Sequence, residues 1–143
     1  MAVATVKVSG LDDLKRKLAA MSKEVKAEVQ IALEKSGAEM VATAKALAPV
    51  DEGELRASIT MTTAGGSTPI FGGGGRTKVG DLAVRVTAGD NFVRYAAIVE
   101  FGRDSEPHMA ARPFFWPAYR TLKKRIKSRN ARAVNKAVKK AIR

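Results

Sequence analysis

The residues Tyr95-Ala-Ala-Ile-Val-Glu-Phe-Gly102 and, after a short polar gap, Ala111-Arg-Pro-Phe-Phe-Trp-Pro-Ala118 form the stretch around which the fold is expected to close. This stretch contains the single Trp, the single His and three of the five prolines of the chain. Large aromatic side chains supply much of the apolar area of a small domain, so the core is expected where they crowd.

Periodicity divides the stretch into two helices. The first is predicted over residues 95–101 and ends at Gly102, with an inward face of Tyr95, Ile98, Val99 and Phe101. The second is predicted from Pro113 to the C-terminus, because proline suits the first turn of a helix. Its opening turn carries more aromatic area than one small domain needs. Phe114 and Trp116 are therefore candidates for contact with a neighbouring subunit.

The chain before this stretch predicts one long helix and several strands. The helix is expected over residues 22–48, where apolar residues recur at helical spacing until Pro49 ends the pattern. Its apolar face is Val25, Val29, Ala32 or Leu33, Met40 or Val41, Ala44 and Leu47. Residues 11–20 form another helical pattern, either continuous with this helix through a kink or separate from it. Alternating apolar residues predict three to five antiparallel strands, at about 3–8, 57–63, 82–88 and part of 91–95.

The fold class that follows is α+β: an antiparallel β-sheet packed by a long N-terminal amphipathic helix, with a basic C-terminal helix. We expect one domain over residues 1–122 and a helical extension over 123–143, since a chain of this size buries ~70% of its unfolded surface. The chain has no cysteine, no apolar run near the ~20 residues that cross a bilayer, and no signal-peptide pattern. These features predict a protein made in the cytosol that does not enter a membrane.

The segment 64–80 is rich in glycine, with four consecutive glycines at 72–75. Loops of this length are either functional or disordered in most compact domains, and we predict a mobile loop. A phosphate-binding loop does not fit, because Gly-Lys-Ser/Thr is missing and no helix follows. Ile70 and Phe71 place an apolar pair within the loop, which suggests contact with another molecule.

The sequence contains no pattern typical of a catalytic or metal site. His108 has only Glu106 close by, whereas metal sites need three or four convergent ligands. Glu100 lies among apolar residues and predicts a buried or interfacial carboxylate in a structural ion pair rather than a general base. Its candidate partners are Arg56, Arg94 and Arg112. We therefore expect no enzyme activity, no cofactor and no metal.

Charge is distributed very unevenly along the chain, whose formal net charge is +12. Residues 1–112 carry 15 Lys/Arg and all 14 Asp/Glu, whereas residues 113–143 carry 11 Lys/Arg and no acid. Such a block is typical of contact with phosphates, of an acidic protein surface, or of simple solvation. The candidate contacts are Lys123, Lys124, Arg125, Lys127, Arg129, Arg132, Lys136, Lys139, Lys140 and Arg143. Beyond Lys127 too few apolar residues remain to hold the helix to a core, so it is expected to project or to dock on another chain.

Three motifs occur in order: Ala-Pro-Val-Asp-x-Gly-x-Leu-x-x-Ser-Ile at 48–59, Tyr-Ala-x-x-Val-Glu-Phe-Gly at 95–102, and Ala-Arg-Pro-Phe-x-x-Pro-Ala at 111–118. Together they resemble the neck proteins (head–tail joining or tail-completion proteins) of long-tailed phages and prophage-derived particles, over about residues 9–122. The sequence departs from that pattern at Glu52 and Arg103, where the family commonly has Thr, and in its longer basic tail.

The resemblance implies a structural virion protein in the neck or tail, assembled in the host cytoplasm. It implies a ring, six-fold in symmetry, between the connector of the DNA-filled head and the tail tube, with connector, tail-tube or tail-terminator proteins as neighbours and packaged DNA in the channel. The candidate assembly residues are Ile70, Phe71, Glu100, Arg112, Phe114 and Trp116. An alternative hypothesis is a small cytosolic nucleic-acid-binding protein that uses the basic helix.

Overall fold

The computed structural model describes Asp13, Lys15 and Arg16, residues 23–70 and residues 75–142. From Lys23 onward, the described residues form helices α1 (Lys23–Leu47), α2 (Glu54–Ala57), α3 (Ala96–Phe101) and α4 (Phe115–Ile142), and strands β1 (Thr60–Thr62) and β2 (Arg85–Thr87). The predicted strand over 3–8, most of the predicted helix over 11–20, Phe71 and Arg143 lie outside the described residues.

The two strands pair antiparallel, with Thr60 opposite Thr87, Met61 opposite Val86 and Thr62 opposite Arg85. The described residues therefore contain a sheet of two strands, fewer than the three to five predicted. The predicted strand within 91–95 is wrong, because this segment is a turn. There the carboxylate of Asp90 accepts hydrogen bonds from the backbone N–H groups of Phe92 and Val93, both at 2.8 Å.

Helix α1 crosses the sheet at Gly37, where the two approach closely. A Cβ at this position would lie 2.5 Å from Sδ of Met61 and 2.7 Å from Cγ1 of Val84. A larger residue would force the Met61 and Val84 side chains to move, so the glycine allows the helix to pack closely against the sheet here. The arrangement of helices and an antiparallel sheet confirms the predicted α+β class.

Helices α1 and α4 lie antiparallel to each other and carry the main core between them. The core includes the end of α1, the α2 turn, α3 and the beginning of α4. Its buried members are Met40, Ala44, Ala48, Leu55, Ile59, Val93, Ala96, Val99, Phe114, Ala118 and Leu122. Leu47, predicted on the inward face of α1, is instead 47% exposed, because Ala44 and Ala48 occupy that face.

The C-terminal half of α4 stays on α1, which corrects the prediction that it projects or docks on another chain. Ala137 is fully buried against Val25 and Val29, with Leu33, Leu82 and Val134 around them. Both helices therefore contribute apolar side chains to this contact, Ala137 and Val134 from α4 and the two valines from α1. The helix runs without a break through Leu122, in agreement with the predicted helix from Pro113, and the domain boundary at 122 stays a prediction.

Candidate assembly surfaces

Glu100 is buried at the end of α3 and holds the beginning of α4. Its Oε2 accepts the backbone N–H groups of Phe114 and Phe115 at 2.7 and 2.9 Å, and its Oε1 accepts that of Trp116 at 3.0 Å. These donors have no partner within the helix itself, and a carboxylate also suits the positive end of the helix dipole. The ion pair with Arg56, Arg94 or Arg112 is therefore wrong: Glu100 forms none with any described residue. It is a structural cap rather than a surface group.

The chain returns closely past Gly102 to bring α4 to this carboxylate. Gly102 has φ of 77°, and a Cβ there would lie 2.9 Å from the backbone nitrogen of Ala111 and 2.9 Å from the carbonyl oxygen of Met109. The N–H of Arg112 then donates to the carbonyl of Val99 at 2.7 Å. Only glycine fits this crossing, which explains the Gly in the motif 95–102.

The three aromatic residues that begin α4 divide between the core and the surface. Phe114 is 1% exposed, so it belongs to the core and is not available to a neighbouring subunit, contrary to the prediction. Trp116 is 43% exposed, and Phe115 lies between them. Neighbouring rings meet edge to face, with centroids 6.4 Å apart for Phe114–Phe115 and again for Phe115–Trp116. The row therefore connects the core rigidly to an outward-facing indole.

Trp116 is part of a larger exposed surface, which we call the aromatic surface: Phe101, Trp116, Tyr119 and Arg120. Phe101 is 67% exposed, which corrects its predicted place in the core, and Tyr119 stacks edge to face on Trp116 at 5.9 Å. Phe101, Trp116 and Arg120 line one shallow groove. Aromatic rings beside an arginine are the side chains most enriched at protein interfaces.

A second exposed surface lies around the α2 turn, and we call it the acidic surface: Val50, Asp51, Glu52, Glu54 and Tyr95. Val50 is 59% exposed, and Tyr95 is 39% exposed rather than in the predicted core. Partial burial, together with the negative charges of Glu54, Asp51 and Glu52, raises the pKa of the Tyr95 hydroxyl. Exposed Val50 is followed by three exposed acids within four residues, so the surface combines apolar area with negative charge.

The arms of the glycine-rich segment pair with each other on both sides of residues 71–74. Gly65 donates to Val79 at 2.9 Å, Val79 donates to Gly66 at 2.8 Å, and Thr68 donates to Thr77 at 2.9 Å. Ile70, a predicted contact residue, is 42% exposed at the end of one arm. Phe71 lies outside the described residues. The predicted mobility of the whole segment stays a prediction.

Some of the cations of α4 bind α1 and others face outward. Arg125 and Arg129 pair with the carboxylate of Glu39 at 3.0 and 2.8 Å, and Lys140 pairs with Glu28. The Arg129 guanidinium beside Glu39 lowers the pKa of that carboxyl, and the hydrogen bond from Lys140 lowers the pKa of Glu28. The remaining candidate cations of the described chain are exposed and form no ion pair with any described residue: Lys123, Lys124, Lys127, Arg132, Lys136 and Lys139.

The described residues offer no built site for catalysis. Among them, no three His, Asp or Glu side chains converge as a metal site requires, and His108 is exposed on the loop before α4. Arg112, another candidate for assembly, is exposed beside Pro113. Within the same ranges, no helix has a stretch that is both long and apolar enough to span a bilayer. The features that stand out are surfaces rather than cavities.

A small α+β body with exposed aromatic, acidic and basic surfaces is the kind of protein expected to work by assembly. A family model described as "Bacteriophage HK97-gp10, putative tail-component" matches residues 12–102, more than half of the chain. The chain therefore belongs to the HK97-gp10-like family of phage tail components, and the resemblance to phage tail-completion proteins is confirmed. Comparison with curated proteins and with solved structures found no match.

The match includes the motifs at 48–59 and 95–102, and it ends before the motif at 111–118 and the basic helix. The acidic surface thus lies inside the matched region, whereas most of the aromatic surface lies beyond it. Sequence reasoning missed the acidic surface, although three acids within four residues of a strongly basic chain were a usable signal.

Proposed function

We propose that this tail component acts in the neck of the particle. There it would form a closed ring that joins the connector of the DNA-filled head to the tail tube, or completes the tail. The observation that carries the proposal is that one chain exposes distinct aromatic, acidic and basic surfaces and belongs to a family of phage tail components. Such a ring needs two different edges to close and two faces to meet its neighbours. The chain would act through these contacts and not as an enzyme.

The outward face of α4 gives the proposed ring its contact with a polyanion. Arg132, Lys136 and Lys139 line a surface groove together with Asn135 and Lys140. In a neck ring this face would contact either packaged DNA in the channel or negatively charged side chains of a different protein in the neighbouring ring. Aromatic residues are absent from the sequence after Tyr119, so contact with DNA would involve phosphates and not base stacking.

The same face supports a second candidate function, a nucleic-acid-binding protein outside the virion. Free duplex would then bind the isolated chain, with an affinity that falls ~10³–10⁵-fold between 50 and 200 mM salt if 6–10 phosphates are contacted. Reversal of charge at Lys136 and Lys139 tests both candidates without removing the part of α4 that covers Val25 and Val29. Truncation would remove that cover as well.

Particles produced without the chain provide the test. We expect full heads and separate tails that fail to join, with joining restored by the wild-type chain and not by Lys136→Glu/Lys139→Glu. Normal joining in the absence of the chain would contradict the neck function. If the isolated chain binds duplex tightly at low salt while joining is normal, the second candidate is favoured.

A further inference from the structure

The aromatic surface and the acidic surface both expose apolar side chains, and the charges around them are opposite. We propose that copies of this chain associate head to tail, with the aromatic surface of one copy docked on the acidic surface of the next. The inference rests on the ring proposed above and identifies the two edges that would close it.

Each surface has an exposed apolar centre. Trp116 and Phe101 are 43% and 67% exposed on one, and Val50 and Tyr95 are 59% and 39% exposed on the other. Burial of such side chains against each other removes apolar area from water, which drives most protein association. Rigid aromatic residues also lose little conformational entropy when they dock.

The charges around these centres are opposite. Arg120 lies in the groove with Trp116, and Lys123 and Lys124 follow it within one helical turn. On the acidic surface, Asp51, Glu52 and Glu54 are all exposed within four residues, and Arg56 is the only cation between Asp51 and Ile59. Opposite charges on the two edges favour this contact over aromatic-to-aromatic or acidic-to-acidic contacts, which would bring like charges together.

One copy cannot satisfy both surfaces by itself. Tyr95 directly precedes α3 and Phe101 ends it, so the two residues are at opposite ends of a helix about 9 Å long. Ala96 and Val99 fix that helix in the core, at 4% and 3% exposed. The surfaces are thus held apart within each copy. A contact between different surfaces leaves one of each unused in a dimer, so further copies can add, and a ring forms where the rotation from copy to copy closes.

The absence of cysteine from the chain makes cross-linking a direct test. Glu52→Cys and Arg120→Cys are prepared as separate full-length variants and mixed under mild oxidation. We expect a disulfide-linked dimer in the mixture and none in either variant alone. A chain that carries both substitutions should give a ladder of linked species that ends at the ring. Asp81→Cys mixed with Ser128→Cys, both at exposed positions outside the two surfaces, is the matched control.

Two results would overturn the inference. Links within Glu52→Cys alone or Arg120→Cys alone would show like surfaces in contact, and a yield no greater than the control pair would show no such contact. Either result leaves the neck function to be judged by whether particles without the chain join their tails. Normal joining of heads and tails without the chain would contradict the neck function even if the aromatic and acidic surfaces cross-link.

Discussion

The N-terminal half of α4 enters the main core through Ala118 and Leu122, directly after buried Phe114, whereas its C-terminal half touches α1 through Ala137 and through ion pairs. The first half is also capped by the carboxylate of Glu100. Of the three ion pairs between the two helices in the described residues, those of Arg129 and Lys140 lie in the second half and that of Arg125 lies in the first.

The difference shows how one helix can serve both fold and assembly. Apolar burial and a buried cap are little affected by salt, so the first half holds Trp116 and Arg120 in a fixed position. Surface ion pairs are weak and are screened by salt. The cations of the second half can therefore exchange their partners in α1 for other anions. Substitutions in the two halves should therefore change the free energy of unfolding by different amounts. These changes should also differ in their dependence on salt and pH.

Loss of the Phe114 ring should have the largest effect on stability. Phe114→Ala is expected to lower the free energy of unfolding by about 3–5 kcal/mol, because it opens a cavity in the main core. Trp116→Ala, two residues along and 43% exposed, is the control and should cost clearly less than Phe114→Ala. Urea denaturation followed by circular dichroism measures both. Equal losses would contradict the division of the aromatic row between core and surface.

Removal of the cap should have an intermediate effect. Glu100→Ala leaves three backbone N–H groups without their acceptor and is expected to cost about 2–3 kcal/mol. Glu100→Gln keeps one acceptor oxygen and should cost less than Glu100→Ala. Asp104→Ala, in the exposed loop, is the matched control and should leave the unfolding midpoint unchanged. A neutral Glu100→Ala would mean that the cap does not hold α4.

Removal of the ion pairs of Glu28 and Glu39 should lower the stability of the fold least, and the loss should depend on pH. Because Lys140 and Arg129 lower the folded-state pKa values of Glu28 and Glu39, these pairs stabilise the fold above the ordinary pKa of 4.5. That stabilisation is lost as the pH falls through the lowered values. Glu28→Gln/Glu39→Gln should therefore be less stable than wild type at pH 7, and the difference in stability should be smaller at about pH 3.

Denaturation of wild type and double variant at both pH values measures this difference, and Glu106→Gln is the exposed control. A gap between wild type and double variant that persists unchanged at the lower pH would show that the pairs do not act through charge. High salt at pH 7 should narrow the same gap, while it should leave the effect of Phe114→Ala intact.

The sequence predicts the helices and both described strands because their periodicity is strong and local. The partner of Glu100 was not predictable in the same way. Glu100 accepts from the backbone of Phe114, 14 residues later, because the chain passes back over Gly102. Backbone N–H groups are the same for every residue type except proline, so the sequence does not reveal this partner. The burial of Phe114 was predictable, since Phe114, Ala118 and Leu122 recur every four residues and so share one helix face. The high aromatic content of this turn instead led to the prediction that Phe114 contacts a neighbouring subunit.

The position of the C-terminal half of α4 was missed for a different reason. The C-terminal half of α4 by itself has too few apolar residues to predict its docking on the core. The prediction did not consider which residues cover the N-terminal end of α1. Val25 and Val29 need a cover, and Ala137 supplies it. A helix poor in apolar residues can dock where its neighbour provides the area and where carboxylates such as Glu39 receive its cations.

Imaging of particles that carry the chain tests its proposed role most directly. Reconstruction of the neck, with and without the chain, should show a closed ring of this protein between connector and tail tube, present only when the chain is supplied. Within the ring, Trp116 of each copy should lie against Val50 and Tyr95 of the next. A neck unchanged by removal of the chain, or a chain found only as monomers with connector and tail-tube proteins present, would contradict the account.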